Sequence, residues 1–115
     1  MNKNKMEVLT RRAQNALVIE LKGPVDLFSS PKMRSAILGA ISTGNVPRVA
    51  INLSEVSYID SSGIASLVEG LQLARSKKCR LVLFGLQHGA KEVLELSRLD
   101  KVFDIRSTEL EALAD

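Results

Sequence analysis

Two rhythms of apolar residues take turns along this chain. The first has a period of two. Between Ala16 and Lys22, Leu17, Ile19 and Leu21 alternate with Val18, Glu20 and Lys22; between Arg48 and Leu53, Val49, Ile51 and Leu53 alternate with Ala50 and Asn52. Successive side chains of an extended chain point to opposite faces, so each run reads as a β-strand with one buried face. The small or polar side chains of Ala50 and Asn52 could face a second layer. Glu7 to Arg12 reads as another strand, joined to the next by a turn near Gln14-Asn15, and Gly23-Pro24 ends the second strand. Leu81 to Phe84 is a continuous apolar run between Arg80 and Gly85, the pattern of a strand buried on both faces. Val102 to Ile105 reads as the last strand.

The second rhythm is helical. Met33, Ala36, Ile37, Ala40 and Ile41 form one stripe that runs to about Thr43. Ser29-Ser30-Pro31 opens it with a serine cap and a proline in the first turn, and Gly44-Asn45 closes it, with Pro47 outside. Ile64, Leu67, Val68, Leu71 and Ala74 predict a helix from about Gly63 to about Lys77. Arg75, Lys77 and Lys78 sit at its end, where cations are favoured. Gly70 inside it costs roughly 1 kcal/mol against Ala, which means either close packing or simple tolerance. Ala90, Val93, Leu94 and Ser97 outline a short helix, and Ser107 or Thr108 caps a terminal one bearing Leu110 and Leu113.

The order is therefore β-β-α-β-α-β-α-β-α. Strands alternating with helices require crossover connections, and only the first pair can be a simple hairpin. The expected fold is α/β, a mixed sheet of four to five strands with about four helices packed on it. The strands at 48–53 and 81–84 belong in its interior. Residues 1–5 read as a disordered tail and 6–115 as a single domain, without internal repeats or low-complexity segments.

Composition narrows the function. The 115 residues give room for one core, and with three Phe, one Tyr and no Trp that core must be aliphatic. One cysteine, Cys79, excludes an internal disulfide and fits a reducing, cytoplasmic compartment. One histidine, His88, leaves no set of ligands for a metal, and no cofactor motif occurs: neither the phosphate loop ending in Gly-Lys-Ser/Thr nor Gly-x-Gly-x-x-Gly is present. No apolar run approaches the roughly 20 residues of a membrane span, and the polar Met1 to Lys5 lacks the apolar stretch of a signal peptide. A net charge of +3, with Lys and Arg scattered and not interleaved with aromatics, describes a solvated surface and not a nucleic-acid face.

One stretch carries the candidate chemistry. Asp60, Ser61, Ser62 and Gly63 stand between a strand and a helix, so hydroxyls and a carboxylate sit where unpaired N–H groups and the helix dipole favour negative charge. The plain reading is an ordinary N-cap. Ser61 or Ser62 with Asp60 and His88 would supply a nucleophile, an acid and a base, but nothing brings His88 to the serines and the Gly-x-Ser-x-Gly elbow is missing, so the residues do not make an enzyme.

Asp60-Ser61-Ser62-Gly63-Ile64, entered through Val56-Ser57-Tyr58-Ile59, resembles the phosphorylation motif of STAS domains, the anti-sigma factor antagonist family. Ile64 and Ala65 stand where the family usually has Leu and Gly. Gly23-Pro24-Val25-Asp26 is similar to its Gly-x-x-Asp signature, and Leu96 to Phe103 echoes a C-terminal pattern; the likeness runs over about residues 6–114. The resemblance implies that Ser61 is the modified hydroxyl, with Ser62 a secondary candidate. It also implies that Asp26 lies in the loop beside it; the alternative for Asp26 is a turn-stabilising role. Asp26, Asp60, Ser61, Ser62 and Gly63 would then meet the partner. That partner is an anti-sigma factor that is also a serine kinase of the histidine-kinase-like ATPase type. Binding of the unphosphorylated domain releases the sigma factor, phosphorylation reverses this, and a PP2C-type phosphatase resets it. The family also implies an alternative: STAS subunits of lipid-transport ABC systems, docked on the ATPase, carry a similar motif.

Overall fold

The computed structural model describes residues 6–114, so the tail expected over 1–5 lies outside the described residues. The chain runs β1 (Glu7–Ala13), β2 (Ala16–Lys22), α1 (Ser30–Thr43), β3 (Arg48–Glu55), α2 (Ser61–Ser76), β4 (Arg80–Phe84), α3 (His88–Leu96), a 3-10 turn (Leu99–Lys101), β5 (Asp104–Arg106) and α4 (Glu109–Leu113). The five strands form one sheet in the order β1-β2-β3-β4-β5. β1 and β2 are an antiparallel hairpin, with Gln14 in the left-handed region at φ 57° in its turn. The pairs β2–β3, β3–β4 and β4–β5 are parallel. The mixed α/β sheet expected from the sequence is thus the fold observed, with β3 and β4 in its interior.

This topology decides where a site can be. Parallel strands laid down in sequential order, each joined by a right-handed crossover, send their helices to one face. α1, α2 and α3 accordingly share one aliphatic core with that face, built on Ile19, Ile37, Ile51, Leu67 and Leu83 among others. Val18, Ala50, Val82 and Phe84 point the other way and meet Ala112 of α4. β4 is therefore buried on both faces, and Ala50 does face a second layer. Gly70 marks close packing, since a Cβ there would lie 2.6 Å from Ile37 Cγ2 of α1. The C-terminal ends of β2, β3, β4 and β5 all reach one edge of the sheet, the edge where open α/β sheets place ligands and contacts.

Besides β1 and β3, which run one and two residues past the expected ends at Arg12 and Leu53, three places differ from the sequence reading. The helix expected to follow Gly63 starts at Ser61, because Asp60 is its N-cap. The helix stop at Gly44-Asn45 takes its left-handed conformation at Asn45 (φ 52°) and not at the glycine. Gly44 is instead constrained by space, for a Cβ would lie 2.5 Å from Leu17 Cδ1. The last strand is Asp104–Arg106 and excludes Val102 and Phe103. The N–H groups of both these residues donate back to the Leu99 carbonyl, at 3.0 and 3.1 Å, and so are not free for a ladder. Phe103 turns into the core while Val102 stays exposed.

Candidate functional site

The loops after β2 and β3 meet on the C-terminal edge and are stitched together by their backbones. Gly23 N–H donates to Glu55 O at 2.9 Å, Val25 N–H to Tyr58 O at 2.8 Å, and Asp60 N–H to Val25 O at 3.0 Å. Val25 and Ile59 form an isolated parallel bridge. In effect the β2–β3 pairing resumes for one step beyond the strands, which sets Asp26 and Asp60 next to this bridge. The resemblance implies that Asp26 lies in the loop beside Ser61; the bridge joins the loop of Asp26 to the loop that ends at Asp60, directly ahead of Ser61.

Asp60 organises the start of α2. Its Oδ1 accepts from Ser62 N–H at 2.9 Å and from Gly63 N–H at 3.2 Å, and Ser62 Oγ donates to it at 2.6 Å. The Ser62 hydroxyl is the largest influence holding the Asp60 carboxyl below its ordinary range, and the backbone N–H groups of Gly63, Ser62 and Leu27 act in the same direction. The negative charge that a helix start favours is thus already there, supplied by Asp60. Ser62 is committed to it and half-buried. Ser61, the first residue of the helix, is exposed, and among the described residues its hydroxyl has no hydrogen-bond partner. Gly63 is buried where the bridge passes under the helix; a Cβ there would meet Ile59 Cγ1 and Val25 Cγ1, each at 2.6 Å. It serves the close approach of the two loops.

Asp26 does the turn-stabilising work. Its Oδ1 accepts from Phe28 N–H at 2.9 Å, Ser29 N–H at 3.0 Å and Ser29 Oγ at 3.2 Å. The serine cap expected within Ser29-Ser30-Pro31 falls on Ser29, which makes no side-chain cap bond: its hydroxyl accepts from Asp26 N–H at 2.9 Å and shares its one proton between Pro24 O, at 2.9 Å, and the more distant Asp26 Oδ1. This closed turn pushes Leu27 and Phe28 outward. They are 69% and 90% exposed, and Tyr58 on the adjoining loop is 53% exposed. Periodicity overlooks these residues because they belong to no stripe. The available signal was a pair of large apolar side chains inside a segment bounded by Gly-Pro and Ser-Ser-Pro.

His88 is exposed at the first position of α3, and no hydrogen bond joins it to Ser61 among the described residues. Cys79 is buried, and burial pushes its thiol up. Among the described residues no group of His, Cys, Asp and Glu could hold a metal ion, and no helix is long and apolar enough to cross a membrane.

A five-stranded mixed sheet with an Asp-capped Ser-Ser helix start on its C-terminal edge defines the class. The chain belongs to the STAS domain family, whose model matches residues 7–112. It is 31% identical over 102 residues to the anti-sigma-B factor antagonist of Listeria monocytogenes, covering 88% of each chain. It is 23% identical over 100 residues to the anti-sigma-B factor antagonist of Bacillus subtilis, covering 87% of this chain and 90% of that one. Among solved structures it is similar to an anti-sigma factor antagonist from Mycobacterium paratuberculosis, with TM-score 0.86, 22% identity and coverage of 97% and 94% of the two chains. The Bacillus cell fate determinant SpoIIAA in its phosphorylated form gives TM-score 0.72 at 24% identity, over 93% and 96%. These last two likenesses concern the fold.

Proposed function

We propose that this domain is an anti-sigma factor antagonist whose grip on its partner is set by phosphate on Ser61. The observation that carries the reading is the division of labour at the helix start: the Ser62 hydroxyl and the N–H groups of Ser62 and Gly63 are tied to Asp60, while Ser61 stands exposed with its hydroxyl unengaged among the described residues. The names of the relatives supply the kind of partner, an anti-sigma factor. In this reading the partner is also a serine kinase of the histidine-kinase-like ATPase type. It moves the γ-phosphoryl group of ATP to Ser61 Oγ; the bond to ADP breaks and the hydroxyl proton is released. A PP2C-type phosphatase removes the group again, all within the cytoplasm. The domain itself is a binding module, with Asp26 and Asp60 flanking the modified residue.

The electrostatics give the switch its direction. Phosphate brings about −1.5 to −2 charge. Asp60 already takes the N–H groups of Ser62 and Gly63, so the new charge gains less from the helix than it would at an uncapped start. It remains in solvent beside a second anion, where water screens the repulsion and the fold survives. Pressed against a partner, the same two charges lose that water, and desolvation with mutual repulsion opposes the complex. A loss of about 2–4 kcal/mol corresponds to roughly 30- to 1000-fold weaker binding. The test compares Ser61→Asp and Ser61→Ala for affinity to the anti-sigma factor and for thermal midpoint. The expected result is a loss of binding in that range for Ser61→Asp, with its midpoint matching the parent's. Equal affinity of the two variants would overturn the reading.

A further inference from the structure

We infer that the Leu27–Phe28 tip of the β2–α1 loop is an apolar anchor for the serine kinase that acts on Ser61, with the phenyl ring of Phe28 entering a hydrophobic pocket of that enzyme. The inference rests on the phosphorylation reading and deepens it. Single exposed apolar side chains are ordinary on a protein surface. Here three large ones, Leu27, Phe28 and Tyr58, sit on two loops joined by the Val25–Ile59 bridge, and Phe28 at 90% is almost wholly in solvent. The tip is also held rigid. The Phe28 N–H is fixed to Asp26 Oδ1 at 2.9 Å, and the next residue's hydroxyl ties the turn to Pro24 O at 2.9 Å. The backbone that presents the ring is therefore already closed and has little freedom left to lose on binding, which is one part of a preorganised hot spot.

The occupant follows from the position of the tip. Asp60 caps the helix that carries Ser61, and its N–H donates to Val25 O at 3.0 Å, two residues ahead of Leu27, so the loop that bears the tip is joined to the start of that helix. A protein that brings a phosphoryl donor to Ser61 Oγ must cover the neighbouring surface. A standard interface takes roughly 800 Å² from each partner, far more than one serine offers, and the tip is exposed apolar surface on the loop that the Val25–Ile59 bridge joins to the site. Its role differs from that of Ser61: the ring supplies affinity, and the hydroxyl supplies the switch.

The test is steady-state phosphorylation of the full chain by the kinase that labels Ser61, for the parent, Phe28→Ala, Leu27→Ser and Leu110→Ala. Leu110 is the control, 79% exposed but on α4 across the sheet. Phe28→Ala should raise KM roughly tenfold or more, leave kcat at saturation unchanged and leave the thermal midpoint unchanged; Leu27→Ser should act in the same direction and Leu110→Ala should do nothing. Parent-like KM values for both tip variants would overturn the anchor and leave the switch standing. A rise for Leu110→Ala equal to that for Phe28→Ala would overturn it as well. A Phe28→Ala variant that melted early would move the decision to Leu27→Ser. If the parent chain took no phosphate on Ser61 from any serine kinase of its cell, the switch would fall and the anchor with it.

Discussion

α1 and α2 open on the same edge of the sheet, each at a Ser-Ser pair with an aspartate upstream, and they use those residues in opposite ways. Before α1 the aspartate stands three residues ahead of the pair, at Asp26. Its carboxylate closes a turn, Ser29 is consumed by that turn, and Ser30 is buried at 6% exposure. Before α2 the aspartate stands directly ahead, at Asp60. It caps the helix and takes Ser62, which leaves Ser61 outside with its hydroxyl free. Residue type alone does not separate the two. The spacing between carboxylate and hydroxyl does, because it decides whether the serine closes the backbone's hydrogen bonds or is left over.

The contrast predicts that the two helix starts answer different measurements. Ser61→Asp should move binding and leave stability alone. Ser29→Ala should do the reverse. It removes the acceptor for Asp26 N–H and the donor to Pro24 O, both at 2.9 Å in a half-buried turn. A loss of about 1–2 kcal/mol is expected, seen as a thermal midpoint lower by roughly 4–8 °C per kcal/mol, with the Ser61 hydroxyl still open to modification. An unchanged midpoint in Ser29→Ala would break the comparison, since the first serine would then be as free as the second.

Asp60→Ala sharpens the same point through pH. The carboxyl is held below its ordinary value of 3.8, first by the Ser62 hydroxyl and then by first-turn N–H groups. A group whose folded pKa is depressed stabilises the fold above its unfolded pKa, and that stabilisation is lost as pH falls through the folded value. At neutral pH, loss of the cap should cost about 1 kcal/mol. The gap between parent and variant should be constant down to about pH 5, narrow below pH 4 and largely close once the parent is protonated. Chemical denaturation at a series of pH values measures it. A gap that widened in acid would mean that Asp60 is held by something other than these donors.

Much of this was legible in the chain. The period-two runs at 16–22 and 48–53, the unbroken apolar run at 81–84 and the two long helical stripes are local signals, and the sheet follows from their order by the crossover rule. The site was legible in part. The Asp60-Ser61-Ser62-Gly63 motif lies in one stretch, but its resemblance to a family, and no property of spacing, pointed to Ser61 and set Asp26 beside it. What stayed hidden depends on pairings across the fold. The bond from Asp60 N–H to Val25 O spans residues far apart in sequence. The crowding that leaves room only for glycine at 63 comes from Val25 and Ile59, and the Val25 side of it is not visible in the local sequence. Phe103 breaks its strand because its N–H turns back to Leu99, and no periodicity encodes that. Phe28 was missed because an apolar pair in a turn, Leu27-Phe28, has neither the period of a strand nor that of a helix.

The smallest expected effect concerns what joins the two compared helices. Arg34 on α1 grips Glu69 on α2 with two bonds, Nε to Oε1 at 2.8 Å and a terminal nitrogen to Oε2 at 2.6 Å. Each partner's hydrogen bond holds the other in its charged form, lifting the guanidinium and lowering the carboxyl from its ordinary 4.5. The geometry is good, yet both side chains are nearly half exposed, at 47% and 44%, so water and salt take back most of the attraction. The contact that holds α1 to α2 is instead Gly70 against Ile37, where no Cβ would fit. Glu69→Gln should therefore shift the thermal midpoint far less than Ser29→Ala does. Whatever shift there is should shrink on adding salt, and it should fade in acid, because a depressed carboxyl stabilises only above its ordinary range. A Glu69→Gln variant that melted as early as Ser29→Ala, at high salt, would mean that an exposed ion pair and not the glycine contact sets the angle between the helices. The position of Ser61 on the edge would then depend on surface charge, and the separation between a stability-bearing helix start and a partner-facing one would no longer hold.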